Sequence, residues 1–255
     1  LFANGRVFKK IDVIDTEKKL KKLFNNGYRN IAIVLMHGDR YNAHELIIES
    51  IAQNIGFEFI SVSHKINPLI KIVGRGDTTV ANAYLSKIIK IYINNFPTTL
   101  KNKKLLMMQS NGGLIKADLI KAKDTILSSP AGGVIGMIDV AEKTKNKKVI
   151  GFDMGGTSTD ISLFNGSLEH TFETILSGIR IRTPMLKVHT IAAGGGSICD
   201  FNGLRLSTGP ESAGASPGPK SYRKGGPLTI TDCNIALGRI IPEFFPHIFG
   251  ENNNK

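Results

Sequence analysis

The chain has 255 residues and a mass of 27.7 kDa, enough for one large or two modest domains with a real core. Its 41% hydrophobic and 21% charged residues are ordinary for a globular protein, and no run of apolar residues is long enough for a membrane-spanning helix. The net charge of +12 lies wholly in residues 1–150, which hold 24 basic and 12 acidic groups against nine of each in 151–255.

The first 150 residues alternate helical and extended patterns. Asp15 and Thr16 are positioned to cap a helix running to Phe24, with Leu20, Leu23 and Phe24 on one face and Gly27 as its stop. Residues 31–36 are a continuous apolar run that predicts a strand buried on both faces. Asn42 opens a second predicted helix that stops at Gly56, and residues 58–62 predict a second strand. A long helix is expected over 78–96, its buried stripe made by Val80, Ala83, Tyr84, Ile88 and Ile91. Residues 105–108 predict a third buried strand. Strands alternating with helices imply an α/β fold.

From about residue 148 the texture changes. Residues 149–164 read as a β-hairpin around a glycine turn, with its first strand buried. Residues 187–192 predict a strand that ends in Gly194, Gly195 and Gly196. Nine glycines within 194–226 predict a long connection, and such connections usually carry function. Thr231 and Asp232 then cap a helix running to Arg239.

The segment that points most directly to chemistry is Asp153-Met154-Gly155-Gly156-Thr157-Ser158-Thr159-Asp160. Gly155 and Gly156 permit a tight turn and a close backbone approach, by a left-handed conformation or by contact with a ligand. Thr157, Ser158 and Thr159, with successive N–H groups, can surround an anion. Asp153 and Asp160 flank that cradle, and Mg²⁺ takes one or two protein carboxylates while keeping waters and phosphate oxygens. No Walker-type Gly-Lys-Ser/Thr is present. The competing reading is a plain hairpin with a polar turn.

Other residues leave alternatives open. Gly194, Gly195 and Gly196 read either as a close approach to substrate or nucleotide or as a flexible turn. Gly214-Ala215-Ser216-Pro217-Gly218 matches a nucleophile elbow in form, but Pro217 and Pro219 oppose the helix that motif needs, so Ser216 reads as a loop residue. His37 and His44 read as capping or core residues, and His189 as a core histidine or a substrate contact. Cys199 and Cys233 lie far apart without a CxxC. They read as unreactive small residues and fit a reducing compartment. The basic excess is lysine without interleaved aromatics, which reads as a solvated surface and not as a specific nucleic-acid footprint. The chain begins at Leu1 without a signal segment, and an internal piece of a longer protein is expected.

The DxGGTxTD pattern of 153–160 resembles the phosphate hairpin of the actin-like ATPase superfamily. A wider resemblance runs through Gln109-Ser110-Asn111-Gly112-Gly113-Leu114, Pro130-Ala131-Gly132-Gly133-Val134, Ala192-Ala193-Gly194-Gly195-Gly196-Ser197 and Gly209-Pro210-Glu211-Ser212-Ala213-Gly214. With Arg75-Gly76-Asp77-Thr78-Thr79 upstream and 225–250 downstream, the chain resembles the hydantoinase/5-oxoprolinase family over nearly its whole length. The closing segments are most similar to its 5-oxoprolinase members.

The resemblance implies a ribonuclease-H-like, actin-like ATPase fold, here incomplete. Residues 1–100 would end the family's N-terminal domain and 101–255 would begin its ATPase domain, with a boundary near 100–104. It further implies ATP-dependent opening of 5-oxo-L-proline to L-glutamate with release of ADP and phosphate. In that scheme the lactam oxygen is phosphorylated and water opens the activated ring. The alternatives are the ATP-binding subunit of an N-methylhydantoinase, or a degenerate fragment acting only as an interaction domain.

The implied site places Asp153 and Asp160 in catalysis, Asp153 on Mg²⁺, and Gly155, Gly156, Thr157, Ser158, Thr159, Gly194, Gly195 and Gly196 on ATP. The implied partners are a small lactam, the missing parts of the same enzyme and further copies of it, in the cytosol, with no membrane. The superfamily clamp uses two such hairpins and these residues hold one, so the chain alone is expected to be inactive. Asn111, Ser129 and Ser221 stand where relatives often carry Asp, Gly and Cys.

Overall fold

The computed structural model describes residues 1–97, 105–176 and 178–244. The chain forms two compact units, residues 1–136 with 168–187, and residues 137–167 with 188–255. The expected boundary near 100–104 lies outside the described residues.

In the first unit, helix α1 (Val13–Asn25) starts earlier than predicted. The Asp12 side chain caps it by accepting the Asp15 N–H at 2.9 Å. Asp15 instead sits in the first turn, where its charge suits the helix dipole. Gly27 follows the end of α1 at φ +93°. Strands β1 (Asn30–Ile33) and β2 (Phe59–Val62) pair in parallel, Ile31 opposite Ile60. Helix α2 (Ala43–Ile55) stops at left-handed Gly56 as predicted, although the Asn42 side chain makes no capping bond. Leu20, Ala52 and Phe57 form the buried core here, with Phe24 edge-on to Phe57 at 5.4 Å.

β1 is shorter than the predicted 31–36 strand. Beyond Ile33 the backbone turns to polar partners: the Leu35 N–H donates to Glu45 at 2.8 Å and the Leu35 carbonyl accepts from Arg75 at 2.7 Å. The short helix α3 (Ser63–Ile66) supplies Ser63 and His64 to the same Glu45 carboxylate.

Helix α4 (Ile72–Asn94) corrects the predicted stripe. Its buried face is Gly74, Arg75, Thr78, Thr79, Asn82 and Ala83. Val80, Tyr84, Ile88 and Ile91 are all at least half exposed, and of the predicted stripe only Ala83 is buried. The physical reason is hydrogen bonding. Arg75 is almost completely buried and bonds Asp39, Ser63 and the carbonyls of Leu35 and Leu69, while Asn82 bonds Ser61. A satisfied polar face can bury where an apolar one would by pattern alone.

β3 (Leu106–Met108) pairs antiparallel with β4 (Leu114–Lys116) as a small, partly exposed hairpin, not the buried strand predicted. Asn111 shapes its turn by accepting the Gly113 N–H at 2.8 Å. Helix α5 (Ser128–Lys143) follows. Strands β7 (His170–Thr171) and β10 (Met185–Leu186) pair, as do β8 (Thr174–Leu176) and β9 (Ile179–Ile181).

In the second unit, β5 (Val149–Met154) and β6 (Thr159–Phe164) form the predicted hairpin. β11 (His189–Ile191) adds on the far side of β6, all antiparallel. One sheet face, with Ser162 and buried Phe164, lies toward Met137 of α5, whose sulfur takes the Ser162 hydroxyl at 3.7 Å. The other carries Ile150, Phe152 and Met154, which are 70%, 69% and 47% exposed, so β5 is not the buried strand expected. Among the described residues β5 is an edge strand. His189 lies on β11 with an exposed side chain, which overturns its reading as a core residue.

The glycine-rich stretch is not a long structureless connection. It contains the antiparallel pair β12 (Ser197–Phe201) and β13 (Leu206–Ser212). Ser216 lies in a turn, not at a strand–helix elbow. Helix α6 (Ile230–Ala236) is capped by Thr229, two residues before the expected Thr231, with Asp232 completing a capping box.

Candidate functional site

The β5–β6 register sets Asp153 directly opposite Asp160 and Met154 opposite Thr159. Thr190 on β11 is paired with Asp160, and its hydroxyl donates to the Asp160 carboxylate at 2.6 Å. Asp153, Asp160 and Thr190 thus form a polar row across three strands at the turn end of the hairpin. Asp153 is exposed and Asp160 half-buried. Two carboxylates directly across a ladder repel one another. A cation between them would remove that cost.

The turn closes with the Gly155 N–H on the Ser158 carbonyl at 2.9 Å. Gly155, Gly156 and Thr157 are exposed and Ser158 is half-buried. Neither Gly155 nor Gly156 has positive φ, so the left-handed conformation considered for them is not what requires glycine. A Cβ on Gly156 would meet open space within this chain.

Thr159 has a different place. It is buried, and its hydroxyl donates to the Ala193 carbonyl at 2.6 Å. Gly194, Gly195 and Gly196 stand directly behind the turn. The Gly195 N–H donates to the Gly155 carbonyl at 2.9 Å and the Gly196 N–H to the Gly156 carbonyl at 2.6 Å. The Gly194 N–H is taken by the Ser197 hydroxyl. These three glycines back the cradle, while Gly155 to Ser158 face outward from it.

The backing continues into α6. The N–H and hydroxyl of Thr231 both donate to the Gly195 carbonyl at 2.8 Å. Asp232 accepts from the N–H groups of Lys220, Ser221 and Thr229 and from the Thr229 hydroxyl. Burial pushes the Asp232 carboxyl up, but the bonds from Ser221 and Thr229 outweigh it and hold the group below its usual value. Nothing local in the sequence marks Thr190, whose partner lies across the sheet, and Thr231, expected as a helix cap, instead donates to the Gly195 carbonyl.

No group of three or more His, Cys, Asp or Glu side chains able to hold a metal occurs among the described residues. Asp153 with Asp160 is a two-carboxylate donor set. It fits Mg²⁺, which needs no full protein cage, better than a metal that does.

A family sequence model described as Hydantoinase/oxoprolinase matches residues 75–255, and one described as Hydantoinase/oxoprolinase N-terminal region matches residues 1–56. The chain belongs to the hydantoinase/oxoprolinase family. Within this family it is 47% identical to the 5-oxoprolinase of Saccharomyces cerevisiae, over 98% of this chain and 20% of that protein. It is 44% identical to the 5-oxoprolinase of Dictyostelium discoideum, over 99% of this chain and 22% of that one. The chain therefore spans about a fifth of the length of these relatives. Among solved structures, the ATP-dependent caprolactamase of Pseudomonas jessenii aligns with TM-score 0.75 and 31% identity over 94% of this chain and 36% of that one. A nucleotide-free acetone carboxylase shares the fold at TM-score 0.76 and 23% identity, over 92% of this chain and 35% of that one. Among the described residues no helix is long and apolar enough to cross a membrane.

Proposed function

We propose that this chain supplies one phosphate-binding hairpin of an ATP-dependent cyclic-amide hydrolase of the 5-oxoprolinase kind, which opens 5-oxo-L-proline to L-glutamate and releases ADP and phosphate. The observation that carries the reading is the Asp153–Asp160 pair flanking an exposed glycine turn whose carbonyls are held from behind. The similarity to 5-oxoprolinases and to an ATP-dependent caprolactamase supports the choice of a lactam substrate.

A lactam is a poor electrophile because nitrogen donates into the carbonyl. Phosphorylating its oxygen withdraws that donation and makes the ring carbon electrophilic. Water adds there, the C–N bond breaks as the nitrogen takes a proton, and a second water cleaves the acyl phosphate left behind to carboxylate and phosphate. Phosphoryl transfer asks the protein mainly for positioning and charge stabilisation. Asp153 and Asp160 would hold Mg²⁺, which neutralises phosphate charge when bound. The N–H groups and hydroxyls at 156–158 would orient phosphate oxygens. Gly194 to Gly196 and Thr159 keep the turn in shape. Thr190 fixes the Asp160 carboxylate by its hydrogen bond.

On this reading residues 1–100 end the family's N-terminal domain, and 101–255 begin an ATPase domain of the actin-like, ribonuclease-H-like type. The remaining parts of the enzyme supply the second hairpin, and the whole works in the cytosol as a homo-oligomer. ATP turnover by the full-length enzyme, with and without 5-oxoproline, tests the assignment. Turnover stimulated by 5-oxoproline with glutamate as product supports it. Stimulation by a hydantoin and not by 5-oxoproline replaces it with the N-methylhydantoinase reading, and no turnover with either replaces it with that of an inactive interaction fragment.

A further inference from the structure

In the first unit the loop after β1 and the loop before α4 enclose a cavity of about 390 Å³, a size common for small-molecule sites. Arg40 and Lys71 line it and are exposed, and among the described residues neither side chain has an ion pair or a hydrogen bond. Asp39 and Arg75 line it too, but they meet each other's charge at 2.9 Å. Met36, Ile70 and Ile72 supply an apolar wall, with Met36 and Ile70 more than half exposed. The cavity therefore combines two uncompensated cations with apolar surface that the fold leaves open.

The backbone around the cavity is strained and firmly held. His37 has φ +59° and Lys71 has φ +71° with ψ 100°, conformations that residues with a Cβ rarely adopt. Both residues line the cavity, one from each loop. Buried Arg75 ties the two loops together, holding Asp39 and the Leu35 carbonyl in one and the Leu69 carbonyl in the other. Fully buried Glu45 accepts the Leu35 N–H, and a Cβ on Gly38 would stand 2.5 Å from the Glu45 Oε1. Strain that buried polar groups maintain on both sides of a cavity is characteristic of ligand sites. It separates Arg40 and Lys71 from the solvated lysines elsewhere in residues 1–150.

We propose that this cavity binds the carboxylate of a small ring acid, with Arg40 and Lys71 on its charge and Met36, Ile70 and Ile72 against its ring. Hydrogen bonds between charged partners are stronger than neutral ones, and both cations here lack a partner in the fold. The planar guanidinium of Arg40 can take both carboxylate oxygens at once, while Lys71 adds a point charge. The start of α4 lies in the same wall without a side-chain cap, and its dipole favours an anion as well. A bare inorganic anion would gain nothing from the apolar wall. On the function proposed above the acid is 5-oxo-L-proline, whose carboxylate is its only charge. That identity rests on the proposed function, whereas the carboxylate site rests on the cavity.

The test is calorimetric titration of the full-length protein and its Arg40→Gln and Lys71→Gln variants. The probes are 5-oxo-L-proline, cyclopentanecarboxylate (the acid without the lactam), 2-pyrrolidinone (the lactam without the acid) and inorganic phosphate. Both acids should bind wild type, and 2-pyrrolidinone should bind at least about tenfold more weakly than 5-oxo-L-proline. Each variant should weaken both acids by about tenfold or more and leave 2-pyrrolidinone unchanged. Lys71→Gly removes the charge and the strained side chain together, so it should bind the acids as weakly as Lys71→Gln without a fall in melting temperature. Acid affinities unchanged in both glutamine variants overturn the proposal, and 5-oxo-L-proline that still stimulates their ATP turnover leaves the proposed function standing without this cavity. Binding of cyclopentanecarboxylate but not of 5-oxo-L-proline keeps the carboxylate site and removes 5-oxoproline as its ligand. Phosphate that binds more tightly than either acid overturns the proposal, as does a loss of stability in Lys71→Gly large enough to account for its weaker binding.

Discussion

Gly194 lies so close to the 155–158 turn of the hairpin that a Cβ on it would stand 2.6 Å from the Gly156 carbonyl oxygen. No real Cβ tolerates that approach to backbone, so the need for glycine falls on the supporting segment more than on the turn it supports. Gly194→Ala should therefore destabilise the protein by about 1–3 kcal/mol through forced displacement. Gly156→Ala meets open space and should leave stability within about 0.5 kcal/mol of wild type. If a phosphate approaches Gly156, the same change should weaken nucleotide binding by about tenfold. Thermal melts and nucleotide titrations on full-length protein separate the two. A stable Gly194→Ala would refute the packing argument, and normal nucleotide affinity in Gly156→Ala would refute the cradle.

Asp153→Asn keeps the shape of the side chain and removes its charge. Since Asp153 is exposed, no hydrogen bond of its side chain contributes to the fold described above, and its charge opposes that of Asp160, the variant should fold at least as stably as wild type. ATP turnover in the full-length enzyme should fall by about 10²-fold or more, the scale for losing a group that stabilises transition-state charge. Turnover within a factor of three of wild type would remove Asp153 from the site.

Asp232 makes stability depend on pH. Its carboxyl is held below the unfolded value by the hydrogen bonds from Ser221 and Thr229. A lowered folded pKa means that its stabilisation is present above the unfolded value, about 3.9, and is lost as pH falls through the folded one. The melting temperature of wild type should therefore exceed that of Asp232→Asn at pH 6, and the gap should close as pH drops below about 4. A gap that stays constant from pH 6 to pH 3 would mean that the charge is not what holds the 220–221 turn.

Arg75 is 1% exposed and its guanidinium makes four hydrogen bonds, one of them to Asp39 at 2.9 Å. Arg75→Met would strand the Asp39 carboxylate and two carbonyls. Breaking a buried pair by removing one partner costs about 3–5 kcal/mol. Chemical denaturation should show a loss of that size, and a loss below about 1 kcal/mol would contradict the bonding described for α4.

What the sequence determined by itself is local. The 149–164 hairpin, the end of α2 at Gly56 and the DxGGTxTD turn with its flanking carboxylates are all legible because neighbouring residues decide them through φ, alternation and capping. The family, too, is legible, since its motifs are contiguous and ordered. Tertiary structure alone decided the rest. The apolar periodicity of α4 pointed to Val80, Tyr84, Ile88 and Ile91. The helix instead turned Arg75, Thr78, Thr79 and Asn82 inward, because Arg75 finds Ser63 of α3, Asp39 and the carbonyls of Leu35 and Leu69, Asn82 finds Ser61 of β2, and Thr78 and Thr79 donate to carbonyls of their own helix. Likewise Gly194 against Gly156 and Thr190 on Asp160 are pairings between segments far apart in the chain. Their residue types do not encode them. They arise when strand register and helix placement bring two backbones together, and that is settled by how the whole unit satisfies its buried polar groups.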